Sequence, residues 1–245
     1  EAGKNSFDAV QVDGAERIAR IAAEEQVARM VHVSAIGADE ASSSDYARTK
    51  ALGEAAVNAN MSAAVILRPS IIFGPEDEFF NRFAGMTKLG PVLPVVGAGT
   101  KFQPVYVDDV AKAAELALTT DVPGGVYELG GPDVATFRSL MQQMLTVIHR
   151  RRLIVNVPFF FARMMASGFD LLQTLTAGLF TNTMITRDQV RNLAKDNVVG
   201  EDAWGFSDLG IKPITMVSVL PDYLWRFRPS GQYDAIKESA KNLRT

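Results

Sequence analysis

Asp45-Tyr46-Ala47-Arg48-Thr49-Lys50 is the stretch on which the reading of this chain turns, because it sets a phenol and an ammonium four residues apart. On a helix that spacing puts Tyr46 and Lys50 on one face, about one turn from each other. A free tyrosine titrates near ~10 and shuttles protons poorly at neutral pH. A fixed cation beside it favours the phenolate and lowers that value. With three donors, Lys50 can also hold the ribose hydroxyls of a nucleotide. Taken alone, the spacing more often describes a helix with an exposed tyrosine and an unrelated lysine, so its surroundings must decide.

Working outward, Ser42-Ser43-Ser44-Asp45 offers caps for a helix running to about Ala59. Before it, Phe7 to Val27 carries apolar residues at helical spacing, and Arg29 to Ser34 reads as a short strand. After it comes a buried-looking strand, Ala63 to Leu67, stopped by Arg68-Pro69. Helix, strand, helix, strand predicts a parallel α/β sheet. Ser70 to Pro75 is then a loop at the carboxyl end of a strand, where open α/β sheets keep their ligands. Further on the sequence predicts a helix from Glu76 to Leu89, an irregular Gly/Pro-rich segment from Gly90 to Phe102, and an extended run from Gln103 to Val107. A helix opened by Asp108-Asp109, a strand over Val126 to Leu129 and a helix over Phe137 to Ile148 follow. Val157 to Phe180 is strongly apolar and reads as a core or interface helix, with contact to a membrane surface or a quinone as the minority reading. Thr186 to Lys195 and Met216 to Trp225 predict two more helices, and the tail from Pro229 is polar and expected to be mobile.

Composition removes several function classes. With 25 Lys and Arg against 28 Asp and Glu, the net charge of -3 provides no overall field for nucleic acid. Cysteine is absent, so disulfides, thiolate metal sites and cysteine nucleophiles are excluded together, and two histidines are too few for a histidine metal site. No metal is expected. The opening Glu1 to Ser6 lacks both an initiator Met and the apolar core of a signal peptide, which suggests a fragment or a processed form. No run of ~18 apolar residues predicts a transmembrane helix. Four lesser signals are set aside. Gly97-Ala98-Gly99 reads as a turn, Glu76-Asp77-Glu78 as a solvated helix start, His32 as a packed imidazole, and His149 to Arg152 as a basic helix end rather than a phosphate or lipid-headgroup contact.

Together, the strand ending in Val33-Ser34, Tyr46 and Lys50 on the next helix, Leu67-Arg68-Pro69, Phe73-Gly74-Pro75 and Tyr106-Val107-Asp108-Asp109-Val110-Ala111 resemble an extended short-chain dehydrogenase/reductase. That family includes nucleotide-sugar epimerases and dehydratases. Ser43 to Tyr46, Asp77 to Asn81, Gln103 to Val107 and Ile185 to Asp188 are similar, more closely, to the NAD(P)H-binding accessory subunits of respiratory complex I, the NADH:ubiquinone oxidoreductase. The resemblance spans most of residues 7 to 225. It implies a Rossmann-type doubly wound parallel sheet whose N-terminal βαβ part is missing, over residues 1–132 with an irregular insertion at about 76–103. A smaller, mainly helical region would follow over 133–245.

The resemblance also implies roles. Tyr46 would be the proton donor, Lys50 the ribose-binding lysine and Ser34 the serine of the site, all three touching cofactor. Pro69, Ser70 and Ile71 would line the nicotinamide side of NADP(H) or NAD(H), largely through backbone. Two departures favour binding over turnover: Ala35 and Ile36 stand where active members place the catalytic serine, and the first helix has Gln11-Val12-Asp13-Gly14 where Asn-Val-x-Gly is common. The implied protein is a nucleotide-holding accessory subunit with a structural or assembly role near the quinone site, partnered by complex I subunits. It would lie peripherally on the cytoplasmic face of a bacterial inner membrane or the matrix side of the mitochondrial one. The competing expectation is an NAD(P)-dependent oxidoreductase or nucleotide-sugar epimerase or dehydratase in which Tyr46 works as acid and base.

Overall fold

A computed structural model describes residues 6–175 and 186–233. The chain opens with a π-helical turn, Asp8–Asp13, that runs into helix α1, Gly14–Glu24. Strand β1 is Val31–Val33, helix α2 is Asp45–Asn60 and strand β2 is Val65–Pro69. Two short strands, β3 (Ile72–Phe73) and later β6 (Val105–Tyr106), flank helix α3 (Phe80–Met86), strand β4 (Val92–Val96) and strand β5 (Lys101–Phe102). Helix α4 (Val107–Thr119), strand β7 (Gly125–Leu129), strand β8 (Ala135–Thr136) and helix α5 (Phe137–Val147) follow. Strand β9 is Leu153–Val157, and helices α6 (Phe159–Leu175), α7 (Arg187–Asn192) and α8 (Met216–Leu224) complete the order.

β1, β2 and β7 form one parallel sheet with β2 in the middle. Val65, Ile66 and Leu67 are buried, as a central strand covered on both faces requires. α2 and α4 supply the crossovers, so this is a Rossmann-like parallel sheet. Arg68 and Pro69, expected to stop β2, are its last two residues. The Pro69 carbonyl accepts the Ile36 amide at 3.0 Å, beyond the point where β1 has ended. The π-helical turn lies against α2 so closely that a Cβ on Gly53 would stand 2.2 Å from the Gln11 carbonyl oxygen, leaving glycine as the residue that fits.

A second core forms from α3, β4, β5, α5 and α8. Phe79, Phe83 and Phe102 surround Phe137 with ring centroids 5.3 to 5.6 Å away. Here the structure departs from the sequence expectations. The segment read as irregular contains β4, which pairs in parallel with β9, and β5, which pairs antiparallel with β8. Both partners lie far along the chain, and local composition carries no signal of them. The helix expected from Glu76 begins only at Phe80, because the Asp77 carboxylate accepts the Gly74 and Asn81 amides and the Tyr223 hydroxyl at 2.5 Å. Burial and Asp77 both push the Tyr223 phenol up.

Helix α6 buries its small residues, Ala162 and Ala166, against Val190. Phe159 packs against this cluster, but Phe160, Phe161, Met164 and Met165 face outward, Phe160 being 71% exposed and Met164 57%. Those four side chains are therefore not core. Among the described residues no helix is long and apolar enough to cross a membrane. The expectations for residues 176–180 and for the tail beyond 233 lie outside the described residues.

Candidate functional site

The sheet ends and α2 bring the sequence-predicted residues to one place. Ser34 follows β1 directly, Ser70 follows β2, and α2 carries Tyr46 and Lys50 past the carboxyl ends of both strands. Ser44 caps α2, its hydroxyl accepting the Ala47 amide at 3.3 Å and donating a hydrogen bond to the Asp188 carboxylate at 2.8 Å. The Asp188 carboxylate also accepts the amides of Asp45 at 2.7 Å and Tyr46 at 3.2 Å. An acid from α7 thus satisfies the first turn of the tyrosine helix and meets the positive end of its dipole. Arg191 on the same helix adds a bond to the Ser43 carbonyl at 2.9 Å.

Lys50 donates to the Val33 carbonyl at 3.3 Å, and its Nζ stands 5.9 Å from the centre of the Tyr46 ring. The ammonium therefore sits over the ring and not at the hydroxyl. Consequently the expected lowering of the phenol does not occur: burial pushes Tyr46 up. Phe7 contributes to that cover, edge-on at 6.0 Å. Burial lowers Lys50, with Glu54 pulling it back. His32 on β1 is lowered by burial first and by Lys50 second, with Glu54 acting the other way, so the net effect favours the neutral imidazole.

Ser34 is turned elsewhere. Its hydroxyl donates to the buried Glu54 carboxylate, which also receives Arg68 through two bonds of 2.8 and 2.6 Å. Arg68 reaches on to Glu128 at 3.6 Å, and Glu128 accepts the Gly200 amide at 2.9 Å. This chain of charges ties α2, β2 and β7 together just under the site. Ser70 is committed too, donating to the Asn197 side chain at 2.6 Å, while Asn197 donates to the Ile36 carbonyl at 3.2 Å. Asn197 thereby spans the loops that leave β1 and β2.

Sequence reasoning did not single out Glu54, Arg68, Glu128 or Asn197 for the site. Glu54 lay within reach, since it follows Tyr46 and Lys50 at spacings of eight and four on the same helical face. Asn197 had no local signal. Asp188 was visible only as part of a family-like stretch.

The geometry fits a nucleotide's ribose and nicotinamide. Among the described residues the Tyr46 hydroxyl has no hydrogen-bond partner, and Lys50 spends one of its three donors, at long distance, on Val33. A phenol and an ammonium with donors to spare, at the carboxyl ends of parallel strands, is the donor set that sugar hydroxyls and a carboxamide take up.

A parallel sheet with this tyrosine–lysine face defines a nucleotide-binding α/β protein of the short-chain dehydrogenase/reductase class. The profile of the NAD dependent epimerase/dehydratase family matches residues 3–130, just over half of the chain, and the chain belongs to that family. It is 36% identical over 231 residues to NADH dehydrogenase [ubiquinone] 1 alpha subcomplex subunit 9, mitochondrial, of Arabidopsis thaliana, covering 92% of this chain and 58% of that protein. With the mitochondrial NADH-ubiquinone oxidoreductase 40 kDa subunit of Neurospora crassa it shares 32% over 240 residues, covering 98% and 61%. The chain thus spans about three fifths of the length of the curated relatives it matches. Among solved structures, dTDP-glucose 4,6-dehydratase of Bacillus anthracis in complex with NAD superposes with a TM-score of 0.62 at 16% identity, over 95% of this chain and 70% of that one, a likeness of fold.

Proposed function

We infer that this chain forms the nicotinamide side of a tightly held NADP(H) or NAD(H) in an accessory subunit of respiratory complex I, where the nucleotide is structural and is not turned over. Lys50 would hold the ribose, the Tyr46 hydroxyl would donate to ribose or carboxamide, and the backbone of Pro69, Ser70 and Ile71 would line the ring. A bound nicotinamide supplies hydride chemistry in principle; the residues here are arranged to bind and orient it. One observation carries this reading: Ser34, the hydroxyl that would polarise a substrate oxygen, is committed to the Glu54–Arg68 pair. The raised Tyr46 phenol supports it, since a protonated phenol with no lowering influence is a good donor and a poor proton shuttle at neutral pH.

The relatives' names supply the partner, and the exposed apolar face of α6, Phe160, Phe161, Met164 and Met165, is a fitting surface for it. The place would be peripheral, at the matrix side of the mitochondrial inner membrane or the cytoplasmic face of a bacterial one. The test is to purify the full-length protein from its native membrane, denature it, and identify released nucleotide by mass spectrometry while the co-purifying proteins are sequenced. Stoichiometric NADP(H) or NAD(H) together with complex I subunits is the expected result. A partnerless soluble protein that exchanges nucleotide freely and loses a turnover activity in Tyr46→Phe would replace this reading with that of an oxidoreductase or epimerase.

A further inference from the structure

A second unusual constellation lies away from the nucleotide half-site. β4 and β9 run in parallel from Val92 and Leu153 to Val96 and Val157, and the chain leaving β4 goes on to Gln103, whose amide donates to Ser70 at 3.3 Å. At the opposite, Leu153 end of these strands is a concavity of about 410 Å³ lined by Arg138, Arg150, Arg151 and Arg152, with no Asp or Glu among the described residues of its lining.

The sequence suggested that Arg150 to Arg152 serve the end of α5. The Arg150 amide does close the last turn of α5, donating to the Leu145 carbonyl at 3.0 Å, and Arg228 donates to the Val147 carbonyl at 2.9 Å. The arginines of the concavity bond to neutral acceptors elsewhere, Arg138 to Ile154 O at 3.1 Å, Arg150 to Phe227 O at 2.8 Å and Arg152 to Thr87 O at 2.9 Å. Arg138, Arg150 and Arg152 are half-buried, and none of the four has a carboxylate partner among the described residues. Each guanidinium carries five donors, so most of them remain unspent. Holding several such cations together, partly out of water and without a counter-charge among the described residues, is unfavourable, and backbone carbonyls fix their positions without neutralising them.

We propose that this concavity binds a phosphate-bearing anion, a phosphomonoester or phosphodiester, seated among Arg138, Arg150, Arg151 and Arg152. Guanidinium forks match the paired oxygens of phosphate, and four cations call for more negative charge than one carboxylate brings. The volume lies within the range of about 300–1,000 Å³ typical of small-molecule pockets, which leaves room beyond the phosphate itself. Leu153, 66% exposed at the rim, and the buried Leu145 and Ile154 offer apolar surface to an organic portion. The phosphate can come from a soluble ester or from a phospholipid headgroup. Neither Tyr46 nor Lys50 enters the argument, so it stands apart from the nucleotide reading.

The test uses the full-length protein carrying whatever nucleotide it retains. Inorganic pyrophosphate is titrated at constant ionic strength with thermal unfolding as readout, and flotation is measured with phosphatidylcholine vesicles with and without phosphatidylglycerol. Arg151 is exposed and its guanidinium has no acceptor among the described residues, so Arg151→Glu should leave the fold and the nucleotide content unchanged. A saturable rise in Tm with pyrophosphate, weakened about tenfold or more in Arg151→Glu, supports a soluble phosphate ester. Flotation with anionic vesicles alone, lost in the same variant, supports the lipid headgroup. No saturable response to either probe, or a response equal in wild type and Arg151→Glu, overturns the proposal.

Discussion

The β1–β2–β7 sheet carries buried charge beside its apolar core, whereas the layer of α3, β4, α5, β9 and α8 is filled mainly by aromatic and aliphatic side chains. Under the carboxyl ends of the sheet, Ser34, Glu54, Arg68 and Glu128 form a nearly buried line of charge and hydrogen bonds. The second layer is mainly apolar and aromatic, with Phe79, Phe83 and Phe102 packed around Phe137, and four arginines line a concavity at its edge. Polar commitment marks the side where small functional groups must be held at fixed angles. Aromatic packing marks the side whose task is to hold long-range strand pairs together. The two kinds of interior should fail differently.

The largest effect is expected in the aromatic layer. Phe137→Ala, at a side chain 2% exposed, should cost about 3–5 kcal/mol in urea denaturation, and Phe137→Leu should recover part of it, because only volume matters there. The charge line should instead respond to pairing. Glu54→Leu alone leaves Arg68 without its main partner and should cost about 3 kcal/mol, whereas Glu54→Leu with Arg68→Met should return to within about 1 kcal/mol of the parent. Equal losses in the single and double variants would erase the distinction between the two interiors.

Smaller still is the clamp from α7. Asp188→Asn keeps the shape but weakens three charge-assisted bonds to the first turn of α2, so stability should fall by about 1 kcal/mol. Because that turn carries Tyr46, retained nucleotide, read by mass spectrometry of the purified protein, should fall as well. Full occupancy in a destabilised variant would make the clamp purely structural. The smallest effect concerns acidity. Burial and Lys50 hold His32 below its ordinary 6.5, so near that value the folded state binds fewer protons than the unfolded one. Stability therefore rises with pH through the window below 6.5, and the penalty is fully present below the folded value. His32→Gln should flatten this limb when urea midpoints are compared on either side of 6.5.

Much of the sheet was legible because its signals are local. Ser44 and Asp45 announce the start of α2, and the run Val65 to Leu67 announces a covered strand. The tyrosine–lysine face follows from helical spacing alone. What failed to show were contacts between distant segments. Pro94 and the glycines around it made β4 look irregular, yet it pairs with β9 some sixty residues later, as Val92 with Leu153 and Val96 with Val157. Asp77 looked like part of a solvated helix start and is held by Tyr223. Asn197, which bridges the two site loops, sits in a stretch without periodicity or motif.

The sequence by itself determined the class of fold, the helix that presents Tyr46 and Lys50, and the absence of cysteine chemistry, because periodicity, capping and composition act within a few residues. Tertiary structure alone decided the state of the groups so placed. Lys50 lies over the Tyr46 ring, Ser34 is drawn to Glu54, and the Arg150 and Arg152 guanidiniums bond to the Phe227 and Thr87 carbonyls. Burial and the direction of a charge depend on which distant chain arrives alongside, and spacing along a single helix or strand does not carry that information.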